Sequence, residues 1–441
     1  MKSICDYMII QRSADGFGRA VFRGTLAVPE GAFVAVRVMR EDDNMTVVPW
    51  QKGEFCGSEW QCALTIPEGG LYRVEARLCT GEFNPSLCGY DWSPLIACAY
   101  HVGVGDVFVL AGQSNMSGYA KDSAFDPPQL GVHLYNNAAE WVLASHPVNC
   151  VPNPVYKNND CNSGVSPALA FGRAMQRRLG VPVGLISAAQ GGSSLESWNP
   201  AEEEPFLYEE LCKKVEAVGG FKAMVWYQGC NETNDEEADT YYEKFKQTIG
   251  LWREKFGFFP LGICQLNRHA QKKDGDDRFW GKVREAQRRA ARDLEGVFAI
   301  PTHDLFTIDG IHNSSASCIT VGERLAAALL NGVYEKTGFF APDIKRIKKL
   351  DDTTVKLEIE NYLFLRTMDD NACGLNIEDE NGLADCVGIF VCEGGATVKC
   401  ERPIGKNAVF HAYWRREEPA FFIRDVYGCP LLSCYGVPIE D

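Results

Sequence analysis

With 441 residues, 46% of them apolar and 23% charged, and a formal charge of −15, the chain has the composition of a globular protein with more than one core. The acidic balance excludes a general affinity for nucleic acid or an anionic membrane, and no apolar run of about 18 residues marks a transmembrane helix. The 18 cysteines form no CxxC pair and no zinc-spaced Cys/His cluster. The opening "MKSICDYMIIQRSADG" carries no secretory pattern, so the expectation is a cytoplasmic protein with reduced thiols.

In chain order, residues 1–104 hold short, partly alternating β-rich segments such as "RAVFRGTLAV", "AFVAVRVMR", "WQCALTI" and "LYRVEARL". Turn signals at Pro29-Glu30-Gly31 and Pro67-Glu68-Gly69-Gly70 divide them, which predicts a small β-sandwich. The texture changes at Gly105. Continuous apolar strands are expected at 107–111, 182–188, 223–229, 260–266 and 297–301. Amphipathic helices are expected near 166–179, 205–218, 236–255, 278–293 and 316–335. This alternation predicts an α/β domain over 105–340, a parallel sheet with helices on both faces. The Pro- and Asn-rich stretch 120–163 is expected to be a long loop over the sheet. β texture returns over 341–441, as a C-terminal β module. The junction "AYHVGVGDVFVLAG" is too short for a linker and implies packed modules.

In an open α/β sheet, ligands bind beyond the carboxyl ends of the strands. Those ends carry Gly112-Gln113-Ser114-Asn115, Gln190-Gly191-Gly192-Ser193-Ser194 and Gln228-Gly229-Cys230-Asn231-Glu232, then His303-Asp304 and Asp309-Gly310-Ile311-His312. A hydroxyl, flexible glycines, side-chain amides and an Asp/His pair are the parts of acyl transfer. The imidazole is suited to the base role by an ordinary pKa of about 6.5.

These blocks carry a resemblance. "GDVFVLAGQSNMSG" resembles the first block of the SGNH hydrolases, in the branch of sialate O-acetylesterases and related carbohydrate acetylesterases. "AAQGGSSLESW", "VWYQGCNET" and "DGIHNSSASCITVGERLA" resemble the later blocks, in the expected order, and "YMIIQRS" resembles the start of the β domain that precedes them. The resemblance implies a flavodoxin-like SGNH sheet flanked by β modules. It implies a serine esterase acting on an acetylated sugar or glycan, without metal or cofactor, with sialic acid as the first candidate and acetylated xylan or another glycan as the alternative. It also implies the roles: Ser114 as nucleophile, His312 as base, Asp309 as its orienting carboxylate. The N–H groups of Ser114 and Gly192 would form the oxyanion hole with the amide of Asn231 or Gln228. Two departures stand out. Cys230 replaces the usual Glu of the third block, which leaves the side-chain donor open between Gln228 and Asn231. Asn313 replaces the Pro that often follows the His.

Plainer readings compete at each position. Ser114 can cap a helix, and Gly191 and Gly192 can be turn residues. His303 beside Asp304 rivals His312, which is favoured by its Asp309 spacing and the helix pattern that follows. Gln113 and Trp198 are placed among the substrate-binding residues, Trp198 either stacking on a sugar or serving as a core aromatic. Cys230 reads as a packing residue, "NDEEAD" as a solvated helix start and "KVREAQRRAARD" as a solvent face. A carbohydrate-binding protein without catalysis, and a lipid or thioester hydrolase, are the rival classes. Oligomeric state is not readable.

Overall fold

The computed structural model describes residues 3–26, 29–86, 88–270, 276–336, 338–367, 372–416 and 423–441. One strand organises it. β1 (Leu95–Gly112) is 18 residues long and is buried continuously from Val102 onward. Its first half pairs antiparallel with Gly69–Thr80, while Gly103–Gly105 also pair parallel with Ile9–Gln11. From Asp106 it enters a second neighbourhood and lies between two parallel strands.

That second neighbourhood is the α/β sheet. Its other strands are β2 (Val132–Tyr135), β3 (Trp141–Leu143), β4 (Val183–Ser187), β5 (Ala223–Tyr227), β6 (Leu261–Cys264) and β7 (Val297–Ile300). The order is β3-β2-β4-β1-β5-β6-β7, and only β3 runs antiparallel to its neighbour. Every residue of β4 and β5 is buried, as continuous apolar runs require when helices cover both faces. The helices are α1 (Ser114–Ser117), α2 (Ala168–Leu179), α3 (Phe206–Val218), α4 (Tyr241–Phe256), α5 (Asp277–Asp293) and α6 (Ser315–Tyr334). α2 packs on α6, and α4 packs on α5. α2 and α3 each stop at a left-handed glycine, Gly180 and Gly219. Among the described residues no helix is long and apolar enough to cross a membrane.

The expected loop over 120–163 is corrected: it contributes β2 and β3 to the sheet edge. Each strand is three or four residues long, too brief to show a period within a Pro- and Asn-rich background. The remainder of the stretch carries much of the site's support.

On the N-terminal side, Phe17–Thr25, Glu54–Cys56 and Glu59–Pro67 form a three-stranded sheet. It packs over Ala32–Arg40 and Thr46–Lys52. The core is continuous from Phe22 and Trp60 in this region to Leu325 and Leu329 in α6. Buried Asp106 locks the junction, accepting from Arg12 Nε (3.0 Å) and NH2 (2.6 Å) and from the Tyr334 hydroxyl (2.9 Å). On the C-terminal side a seven-stranded sheet runs from Asp343–Lys349 to Cys434–Pro438 around a separate core. It is fastened to α5 by Arg292 on Asp343 (2.8 Å) and by Arg284 donating to the Tyr413 carbonyl (2.7 Å).

This continuity leads to an expected result. The change of texture between residues 104 and 105 falls inside β1, where Val102 and Val104 are fully buried. Limited proteolysis of the native chain should therefore not liberate an active 105–340 fragment, since a cut there requires unravelling a shared strand. Rapid accumulation of such a fragment on a gel, with activity retained, would contradict it.

Candidate active site

Gly112 ends β1 at φ +129°, and a Cβ there would lie 2.3 Å from the Tyr227 carbonyl oxygen, so no other residue fits this crossing. The chain then turns into α1, which begins at Ser114. Gln113 accepts through Oε1 from the N–H groups of Gly229 (2.8 Å) and Cys230 (2.9 Å), joining the β1 end to the β5 end. Asn115 reaches the other way. Its Nδ2 donates to the Ile311 carbonyl (3.2 Å) and its Oδ1 accepts from the Asn313 N–H (2.9 Å). The residue after Ser114 thus holds both chain neighbours of His312.

His312 lies in the loop between β7 and α6. Its Nδ1 is 2.6 Å from Asp309 Oδ2, and its own N–H donates to Asp309 Oδ1 at 2.8 Å. The Ile311 N–H donates to the same Oδ1 (3.2 Å), the third bond to the carboxylate. Burial pushes the Asp309 carboxyl up, but these bonds outweigh it and hold the group below the usual carboxylate range. With Nδ1 directed at a carboxylate, the N–H is assigned to Nδ1 and Nε2 keeps the basic lone pair. The Tyr119 ring packs beside the imidazole at 4.7 Å between centroids.

The turn after β4 sits against α1. Gly191 donates to Asp160 Oδ2 (2.8 Å), and a Cβ on it would lie 1.8 Å from the Tyr119 hydroxyl. Gly192 follows with φ +71°. Asp160, 7% exposed, also accepts from Ser117 Oγ (2.9 Å) and from the Tyr119 hydroxyl (3.1 Å). One carboxylate therefore ties together the glycine turn, the first helix and the ring beside His312. The backbone N–H groups of Ser114 and Gly192 meet no acceptor among the described residues.

The two amides of the third block differ. Gln228 is fully buried, and its Nε2 donates to Glu232 Oε2 (2.6 Å) and the Ser193 carbonyl (3.3 Å), which uses both N–H bonds. Asn231 is on the surface side and donates to the Gly192 carbonyl (2.7 Å). Glu232 also accepts from the Leu195 N–H (2.5 Å), and burial pushes its carboxyl up to about 7.

The family model for carbohydrate esterases described as sialic acid-specific acetylesterases matches residues 104–331. The chain belongs to this family. It is an esterase, a carboxylic ester hydrolase, of the carbohydrate acetylesterase group. Its relatives include an Arabidopsis thaliana protein named "Probable carbohydrate esterase", 28% identical over 51% of this chain and 90% of that one. Sialate O-acetylesterase from Homo sapiens is 28% identical over 25% of this chain and 26% of its own length. The chain thus spans about a quarter of that relative, and 61% of the Rattus norvegicus sialate O-acetylesterase. A carbohydrate acetylesterase from Xanthomonas citri shares the fold over 97% of both chains, with a TM-score of 0.71 at 20% identity.

Within this esterase the residues singled out from the sequence divide. Ser114, Asp309, His312, Gly192 and Asn231 stand on the loops beyond β1, β7, β4 and β5. Gln113 joins two of those loops through its Oε1. The stacking reading of Trp198 is corrected. Trp198 is 0% exposed, packs edge-on against Trp226 at 5.2 Å, and donates to Ser193 Oγ (3.2 Å), so it offers no face to a sugar. His303 is buried and stacked on Tyr413. Burial and the nearby Arg284 hold its imidazole well below its usual pKa. Its neighbour Asp304 is engaged by Arg324 (2.7 Å) and Arg424 (2.8 Å). Burial pushes the Cys230 thiol up to about 12, which keeps it protonated and unreactive. Sequence reading missed Asn115, Tyr119 and Asp160. Asn115 was visible in "GQSNM"; Asp160 had no signal within an Asn-rich stretch.

Proposed function

We propose that this esterase removes O-acetyl groups from carbohydrate, with O-acetylated sialic acid as its substrate, through a Ser114 acyl-enzyme. The observation that supports the reading is the grip of Asn115, the residue after Ser114, on the backbone either side of His312, with Asp309 bonded to the ring. Ser114 Oγ attacks the acetyl carbonyl while His312 Nε2 takes its proton. Asp309 fixes the tautomer and stabilises the imidazolium. The oxyanion is held by the N–H groups of Ser114 and Gly192 and by Asn231. The sugar oxygen leaves with the proton from His312. Water, deprotonated by the same ring, then releases acetate.

The donor assignment has its own expected outcome. Asn231→Leu should lower kcat by about 10²–10³ with KM little changed, the cost of one lost oxyanion donor. Gln228→Leu leaves the buried Glu232 with only the Leu195 N–H as donor and should act mainly through stability, seen as a lower melting temperature. A large kcat loss confined to the folded Gln228→Leu enzyme would reverse the assignment.

Substrate is tested by acetate release from acetylated sialic acids, acetylated xylo-oligosaccharides and simple aryl acetates, with Ser114→Ala as the blank. The highest kcat/KM should fall on the sialic acids. Preference for xylo-oligosaccharides would move the substrate to xylan, and no release from any of them would overturn the proposed substrate class.

A further inference from the structure

Trp198 offers no face to a sugar, so the leaving group must rest on something else. The loop between β7 and α6 supplies a surface through its own backbone. Ile308 N–H donates to the His312 carbonyl (2.8 Å), Ser314 N–H donates to the Phe306 carbonyl (2.9 Å), and Thr307 faces Asn313 between them. Residues 306–308 and 312–314 are therefore a short antiparallel ribbon, closed by the turn that carries Asp309. Side chains alternate across such a ribbon, so Phe306, Ile308, His312 and Ser314 rise from one face and Thr307 and Asn313 from the other. Burial follows that division: Asn313 is 1% exposed, whereas Phe306 is 76% and Ile308 39% exposed. The backbone under the exposed ring is anchored. The Phe306 carbonyl also accepts from Ser317 Oγ (2.9 Å), and the Leu305 carbonyl accepts from Arg268 NH2 (3.0 Å). A ring held on such a backbone loses little freedom when a ligand meets it.

The edges of the ribbon give a direction. Asn115 bonds the Ile311 carbonyl and the Asn313 N–H, the backbone groups that point away from residues 306–308. Ser114 and α1 thus border one edge of the His312 strand, and Ile308 and Phe306 border the other. In the acyl-enzyme reading above, on which this inference rests, the acetyl group lies at Ser114 and the departing oxygen takes its proton from His312. The sugar behind that oxygen is directed across His312, away from Ser114. Directly opposed residues of a ribbon have Cβ atoms about 4.5–5.5 Å apart and diagonal ones about 7–8 Å. Ile308, opposite His312, and Phe306, diagonal to it, are both within reach of a ring seated there.

We propose that Phe306 and Ile308 form the subsite for the sugar leaving group, with the Phe306 ring stacked on the apolar C–H face of a pyranose. Two side chains make a platform for one sugar ring and fall short of the roughly few hundred Å² of a protein- or membrane-binding patch.

The test compares wild type, Phe306→Ala and Phe306→Trp on O-acetylated sialic acid, an acetylated xylo-oligosaccharide and ethyl acetate, whose leaving group is too short to reach the platform. Phe306→Ala should raise KM about tenfold for the sugar acetate that the wild type cleaves, with kcat little changed, because stacking binds ground and transition states alike. Phe306→Trp should match or lower the wild-type KM, and Ile308→Ser should act as Phe306→Ala does but by less. Ethyl acetate kinetics should not move in any variant. The ring is exposed, so melting temperatures should stay within about 2 °C of wild type. An unchanged sugar KM in folded Phe306→Ala would overturn the subsite and leave the esterase reading standing. An equal loss on ethyl acetate would also overturn it, since the change would then act through His312. A wild type that cleaves ethyl acetate but no sugar acetate would instead overturn the substrate class, and the subsite with it.

Discussion

Ser114→Ala is expected to fold as the wild type does and to lose at least about 10³-fold in kcat. The two halves of that expectation have separate physical grounds. Ser114 Oγ has no hydrogen-bond partner among the described residues and is not sealed from solvent, so truncation leaves no buried group unpaired. The contacts that position this segment belong to its neighbours, Gln113 and Asn115, and survive the change. The melting temperature should therefore stay within about 2 °C. The rate loss, about 4 kcal/mol or more of barrier, follows because no other hydroxyl replaces the attacking atom. A verified Ser114→Ala preparation that still releases acetate at the wild-type rate would end the acyl-enzyme proposal.

His312→Ala should be about as damaging as Ser114→Ala, and the double variant should lose little beyond either single one, since the members act as a unit. The loop should persist without the ring, because Asp309 still accepts the N–H groups of residues 311 and 312. Asp309→Asn should fall in the same direction, by up to about 10⁴, through loss of the charge that orients the ring. His303→Ala makes the contrast. That ring is fully buried on Tyr413, so removing it opens a cavity and should cost about 2–4 kcal/mol of stability while kcat of the folded fraction holds. Kinetics at a temperature where both variants are folded separates the cases. Abolished turnover in His303→Ala with a mild effect in His312→Ala would exchange their roles.

What the sequence by itself determined is what local chemistry encodes. Apolar runs such as "AMVWYQG" must be buried on both faces, so β5 and the strands like it were legible, as were the helices between them. Asp309 and His312 are three residues apart in one loop, and a contact that short is readable without knowing the fold. The tertiary structure decided the rest. Trp198 could be a sugar platform or a core ring, and only the Trp226 and Trp252 rings closing over it choose. Gln228 and Asn231 are both amides after the same strand, but Glu232 and Ser193 consume one while the other turns out to Gly192. Asp160 meets Gly191, Tyr119 and Ser117 across long stretches of chain, where no spacing rule reaches. The change at Gly105 marks a shift in residue pattern, but sheet pairing carries β1 through it. Hydrophobic period is set residue by residue; the partner of a buried polar group is set by which distant segments the packed sheet brings within hydrogen-bond reach.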